Sequence, residues 1–268
     1  MRKITLPHIA EKHRKGERIA MVTAYDSTMA SIVDEAGIDM ILVGDSLGMV
    51  IQGHDTTIPV KLDEVIYHTS CVARGTKSAL VMADLPFMSY QASRTQAMLA
   101  GGRALKEGMA DAVKIEGGLE MAETVRMMTS AGIPVMAHIG LKPQSIRVMG
   151  TYKIHGKSLD DAKKLLEEAK AFEEAGAFSL LLEGVAVETA TEITNSVSIP
   201  TVGISSGPGC SGQVLVIYDL LGFNPSFNPK FLKVYANGRG FIADAVKDYI
   251  SEVKSGEFPS EQHSFHRK

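Results

Sequence analysis

Four acidic residues and a histidine stand where short apolar runs end: Asp45, Asp84, Glu116, His138 and Glu183. Residues 111–118 show the pattern best. Val113 and Ile115 fall on one face of an expected strand, Lys114 and Glu116 on the other. Charges are out of place inside an apolar strand unless it belongs to a closed parallel barrel, whose strand ends open onto one mouth. Carboxylates gathered there repel one another by several kcal/mol even at an effective dielectric of about 20, so they require a cation or protons.

An all-oxygen set without cysteine favours Mg²⁺ over Zn²⁺. Such an ion can chelate a 2-oxo acid and polarise its carbonyl, which makes the neighbouring C–H acidic. One carboxylate is then left to take the proton, and Lys114 to pair with the substrate carboxylate. Each residue also has a structural reading. Gly44-Asp45-Ser46 can be a turn or helix cap, Asp84 before Leu85-Pro86 a turn former, Glu116 a cap salt-bridged to Lys114, and His138 a satisfied buried donor. Their placement on successive strand ends favours one shared site, with His138 in support of the carboxylates.

The elements that must hold these residues follow from the apolar pattern. Strands are expected at residues 19–24, 38–43, 79–83, 111–118, 133–137, 179–182, 200–204 and 214–218. Helices are expected between them at 26–36, 62–74, 91–107, 119–130, 159–175 and 187–196, with a short one at 6–15 and a terminal one at 241–254. Near-continuous apolar strands alternating with helices imply a parallel sheet buried on both faces, and eight of them imply closure. The expected fold is therefore α/β, a single-domain (β/α)8 TIM barrel over residues 1–268 with a short N-terminal helix and a C-terminal helical extension.

A chain of 268 residues with 45% hydrophobic and 22% charged content can bury a large core and is far from the disordered class. The formal net charge of −3 and the lack of a basic patch argue against a nucleic-acid partner. No apolar run reaches the roughly 18 residues of a membrane helix, and the basic N-terminus lacks the apolar run of about 7–15 residues of a signal peptide, so a cytoplasmic protein without a membrane partner is expected. Cys71 and Cys210 are too few for a disulfide framework and fit a reducing compartment. The small residues from Gly203 to Gly207 sit where barrels often bind phosphate, but no Lys or Arg stands beside them. His263, His266, Arg267 and Lys268 read as a solvated tail.

The runs YDSTMASIVDEAGIDMILVGDSLGMVIQGHDTTIPV, DLPFMSY, AVKIEGG, IPVMAHIGLKPQS, TYKIHGK and GQVLVIYDLLG, with EQHSFH near the end, resemble the ketopantoate hydroxymethyltransferase family over nearly the whole chain. The resemblance implies a (β/α)8 barrel assembled as a homodecamer. It further implies transfer of a hydroxymethyl group from 5,10-methylenetetrahydrofolate to 3-methyl-2-oxobutanoate, giving 2-dehydropantoate on the way to pantothenate and coenzyme A. By matching motifs, Mg²⁺ falls on Asp45, Asp84 and Glu116. The oxo-acid pocket is lined by Asp45, Ser46, Asp84 and Lys114, and Glu183 is the proton acceptor. The implied chemistry is aldol-type, with a metal-stabilised enolate attacking the folate's methylene carbon.

Alternatives are a Mg²⁺-dependent C–C lyase of the isocitrate lyase and phosphoenolpyruvate mutase kind, or a catalytically silent barrel that binds an oxo acid. This chain departs from the family pattern where GIGAG is replaced by Gly203-Ile204-Ser205-Ser206-Gly207 and Asp-Gly-Gln by Ser211-Gly212-Gln213. Ser205 and Ser206 are expected to crowd the mouth, and Ser211 to loosen whatever an acid would position there. Both changes bear on the folate more than on the metal.

Overall fold

The computed structural model describes residues 3–267. Eight parallel strands close on one another: β1 (Ile19–Thr23), β2 (Met40–Val43), β3 (Leu80–Asp84), β4 (Ala112–Glu116), β5 (Val135–Gly140), β6 (Ser179–Glu183), β7 (Thr201–Ile204) and β8 (Gly212–Leu215). Each pairs with the next, and β8 returns to β1 with Ile19 opposite Gly212. From β2 to β5 every strand residue is buried, as a sheet enclosed by helices outside and its own side chains inside requires.

The outer helices begin at side-chain caps. Asp26 Oδ1 accepts from the Met29 amide at 2.8 Å ahead of Ser27–Glu35. Ser93 Oγ accepts from Gln96 at 3.1 Å ahead of Arg94–Lys106, and Ser158 Oγ from Asp161 at 3.2 Å ahead of Leu159–Glu174. Each cap satisfies an amide that the first turn leaves without a helical partner.

The barrel interior follows the period of two. Met21, Met40, Leu42, Leu80, Met82, Ala112, Met136, Leu181, Val202 and Val214 form one buried cluster, closed from below by Ile9 of the helix Leu6–Arg14. Continuing the same inward phase toward the carboxyl ends of the strands gives Asp84, Lys114, Glu116, His138 and Glu183. The apolar column ends where the polar one begins.

Several elements differ by a few residues from the expected bounds, three of them in ways that bear on the site or its connections. β5 runs on to Gly140 and takes His138 into the strand, because Ile139 still pairs with Leu182 of β6. β8 starts at Gly212, and Tyr218 lies in the helix Ile217–Leu220 instead. The helix expected at 91–107 starts at Arg94, since Ser93 takes the cap. Between β7 and β8, residues 205–211 form no helix. A parallel crossover is usually longer, but β7 has only four residues. At about 3.3 Å per extended residue the link is long enough to return directly to the bottom of the barrel.

The barrel lies in a compact unit ending at Val216, and a second unit begins at Ile217. In the second, the helix Gly238–Ser255 opens with Asn237 Oδ1 accepting from the Gly240 amide at 3.1 Å and stops at Gly256, whose φ is 80°. His263 and His266 of the expected tail are exposed; Lys268 lies outside the described residues. No helix among the described residues is long and apolar enough to cross a membrane.

Candidate active site

Strand register sets the neighbours. Asp84 ends β3 beside Lys114 of β4, Glu116 faces His138 of β5, and Glu183 ends β6 opposite Gly140. Asp45 follows β2, and its amide donates to Asp84 Oδ2 at 3.1 Å. Two glycines make these turns fit. A Cβ on Gly44 would stand 2.7 Å from Ser46 Oγ. Gly140 has a φ of 95°, and a Cβ there would run into the Glu183 carbonyl oxygen. Asp45, Asp84, Lys114, Glu116 and His138 are buried, whereas Ser46 and Glu183 keep part of their surface open.

Lys114 Nζ lies 2.8 Å from Asp84 Oδ1, an ion pair that is off the hydrogen-bond direction. The same ammonium is 3.4 Å from His138 Nδ1. Lysine has no acceptor, so Nδ1 accepts and the ring proton sits on Nε2, 3.4 Å from Glu183 Oε2. At the rim, Ser46 Oγ is 2.9 Å from the Tyr25 hydroxyl.

Burial, joined by the charges of Lys114 and Lys142, holds His138 well below the usual imidazole value. Its ring is therefore neutral, and its approaches to Glu116 and Glu183 are not ion pairs. Burial pushes Glu183 up to about 7; Lys114 opposes the rise, and Asp45 and Asp84 add to it. Asp84 also rises to about 7, through burial first and the Asp45 charge, against the pull of Lys114. Glu116 is driven well above the carboxylate range by burial, again against Lys114. For Lys114 itself burial disfavours the ammonium, but Asp84, Asp45 and Glu116 outweigh it and keep it charged.

Two residues at the centre of the site have no charge to announce them. Gln144 is buried in the loop after β5; its Nε2 donates to Asp45 Oδ2 at 2.9 Å and its backbone amide to Glu116 Oε1 at 2.9 Å. The Tyr90 hydroxyl, also buried, accepts from the Glu116 amide at 3.1 Å and lies 2.9 Å from Gln144 Oε1. The one sequence signal is position, a polar residue in a loop at the carboxyl end of a barrel strand.

Of the three serines that depart from the family pattern, Ser206 and Ser211 are placed otherwise than expected. Ser206 is fully buried, donating to Leu182 O at 2.8 Å and accepting from the Val185 amide at 3.1 Å. It clamps the backbone on both sides of Glu183 and Gly184 and does not crowd the mouth. Ser205 takes a left-handed φ of 56°. Ser211 sits just before β8, at the opposite end of the barrel, with its hydroxyl 3.0 Å from His13 Nδ1. An acid lost there does not reach the mouth.

Among the described residues, no three His, Cys, Asp or Glu side chains are already gathered as a metal cage. The donor chemistry nonetheless fits a hard divalent cation. Asp45, Asp84 and Glu116 are buried carboxyls at neighbouring strand ends whose charges all act on Lys114, and Asp84 Oδ1 lacks a directed hydrogen bond. Mg²⁺ keeps most of its waters and takes only one or two carboxylates, so a closed protein cage is not required.

The sequence profile of the ketopantoate hydroxymethyltransferase family matches residues 3–261. The 3-methyl-2-oxobutanoate hydroxymethyltransferase of Geobacter metallireducens is 52% identical over 98% of this chain and 99% of its own. That of Syntrophus aciditrophicus is 53% identical over 98% and 97%. Among solved structures, a phosphonopyruvate hydrolase complexed with oxalate and Mg²⁺ superposes with a TM-score of 0.62 at 14% identity, covering 97% of this chain and 93% of that one. A 2,3-dimethylmalate lyase gives 0.60 at 15%, covering 97% and 91%. At these identities the structural likeness shows the barrel fold alone.

Proposed function

Because the chain belongs to the ketopantoate hydroxymethyltransferase family, we propose that its barrel mouth converts 3-methyl-2-oxobutanoate to 2-dehydropantoate, for pantothenate biosynthesis, with 5,10-methylenetetrahydrofolate as the one-carbon donor. The observation that carries this reading is Glu183, a partly open carboxyl raised to about 7 and set 3.4 Å from a neutral histidine, at the edge of the buried row of Asp84, Lys114 and Glu116.

Asp45, Asp84 and Glu116 would hold Mg²⁺, which when bound supplies Lewis-acid polarisation of the 2-oxo group. Lys114, kept cationic by its neighbours, receives the substrate carboxylate. Ser46, anchored to Tyr25, offers a hydroxyl to the same ligand. Glu183 takes the proton from C3, and a base titrating near neutrality is well matched to that task. The neutral His138 sets Nε2 3.4 Å from this carboxylate without a directed hydrogen bond; a cationic ring at the same place would lower its basicity. The methylene carbon gains a bond to C3 and one to the oxygen of a water molecule as both its C–N bonds to the folate break; the proton from C3 and one from water go to the two nitrogens, and tetrahydrofolate leaves. The reading extends to a homodecamer working in the cytoplasm.

Turnover of 3-methyl-2-oxobutanoate with the folate, run with Mg²⁺ and with a chelator, tests the proposal. Product that needs both folate and metal supports it. C–C cleavage without folate would favour a lyase, and oxo-acid binding without turnover a silent barrel.

A further inference from the structure

Gln144 has every polar atom of its side chain committed to protein. Nε2 donates to Asp45 Oδ2 at 2.9 Å and to Leu85 O at 3.0 Å. Oε1 accepts from Gln91 Nε2 at 2.9 Å and faces the Tyr90 hydroxyl at 2.9 Å. The Leu85 carbonyl can only accept, so the amide has one orientation, and both donors of Nε2 are used. With the backbone amide on Glu116 Oε1 at 2.9 Å, one buried residue joins the loops that follow β2, β3 and β5 to the end of β4.

We propose that Gln144 is a positioning residue, tying Asp45 to Glu116 so that two of the carboxylates that would hold the cation are set before it arrives. The inference rests on the metal reading above. Gln144 does not touch the ligand, because its two side-chain hydrogens are already placed. Its neutrality matters. A Lys or Arg spanning the same carboxylates would hold them by cancelling their charge, whereas an amide orients them and leaves that charge for the ion. Tyr90 supports the arrangement by accepting from the Glu116 amide at 3.1 Å, which fixes the backbone of the second carboxylate.

The test compares wild type with Gln144→Met, which removes the donors and acceptors at similar length, and with Gln144→Glu, which keeps an acceptor toward Tyr90 and Gln91 but sets an oxygen against Asp45 and Leu85 O. Mn²⁺ binding to the protein without substrate is followed by the electron paramagnetic resonance of free Mn²⁺. Thermal unfolding establishes that each variant is folded, and Gln144→Glu alone decides if Gln144→Met is not. Loss of a residue that orients metal ligands costs about 10–100-fold in metal affinity. The expected result is a weakening of Mn²⁺ binding in that range. Activity should show a raised apparent KM for Mg²⁺ with a much smaller loss of kcat at saturating metal. Folded variants that bind Mn²⁺ within twofold of wild type would overturn the positioning role and leave the metal reading standing. Wild-type protein that binds no Mn²⁺ would overturn both.

Discussion

The Nε2 of His138 lies 3.4 Å from Glu183 Oε2, while the other nitrogen of that ring faces the Lys114 ammonium at the same distance. The ring is too deeply buried to carry a charge of its own. It separates a permanent cation from the carboxylate that has to act as base, and most consequences that can be measured follow from that separation.

Replacing Glu183 with Gln keeps the shape and removes the proton acceptor. A positioned general base contributes about 10²–10⁴ in rate. The Glu183→Gln variant is expected to lose turnover by that factor and to stop exchanging the C3 proton of 3-methyl-2-oxobutanoate in deuterated water, followed by NMR. Binding of the oxo acid with Mg²⁺ should remain within a few-fold. Exchange at the wild-type rate would remove Glu183 from the base role.

Glu183 acts as a base only when ionised, so kcat/KM should fall about tenfold per unit as the pH drops below about 7. The effect on stability has the opposite sense. A carboxyl whose value rises from 4.5 when unfolded to about 7 when folded binds its proton more tightly in the native state, so it stabilises at low pH and loses that contribution as pH climbs between those values. In metal-free protein, Glu183→Gln should become progressively more stable relative to wild type across this window, as denaturant midpoints would record.

Lys114→Met strands Asp84 in a dry setting. Removing one partner of a buried pair costs about 3–5 kcal/mol. Because Asp84 can take up a proton near 7, the loss should be smaller at pH 6 than at pH 9. The KM for the oxo acid should rise about tenfold or more, as expected when a charged hydrogen bond worth about 1.5–3 kcal/mol is deleted. Chemical denaturation at the two pH values and steady-state kinetics check both.

The serines after β7 separate backbone strain from anchoring. Ser205→Gly relieves a left-handed residue, a cost of about 1–2 kcal/mol, against glycine's extra unfolded freedom of about 0.5–1 kcal/mol, for a net gain of about 0–1.5 kcal/mol. Ser206→Ala removes both bonds flanking Glu183, costs about 0.5–1.5 kcal/mol each, and should lower kcat more than it raises KM. Thermal unfolding and kinetics on the two single variants decide.

The barrel was legible because apolar alternation leaves little choice: the same inward phase that selects Met82 and Ala112 selects Asp84 and Lys114 two residues later. The charged members stood out for the same reason, as charges ending apolar runs. Gln144 and Tyr90 did not, since a neutral amide and a phenol in loops look alike whether they face solvent or lie buried. Their role comes from partners far along the chain, such as Asp45 for Gln144, and local pattern says nothing about those. Ser211 misled for a related reason. Its nearness in sequence to the loop after β7 tied it to the folate, but without an intervening helix seven residues suffice to carry the chain to the far end.

Ile9, sealed beneath the column of methionines and leucines, never meets a reactant. Yet the elevated proton affinities at the top depend on an interior that water does not enter, and that interior has two ends. A hydrophilic side chain in place of this stopper would let the shaft grow wet from underneath, and the enzyme's acid–base poise would drift although no residue it uses had been touched.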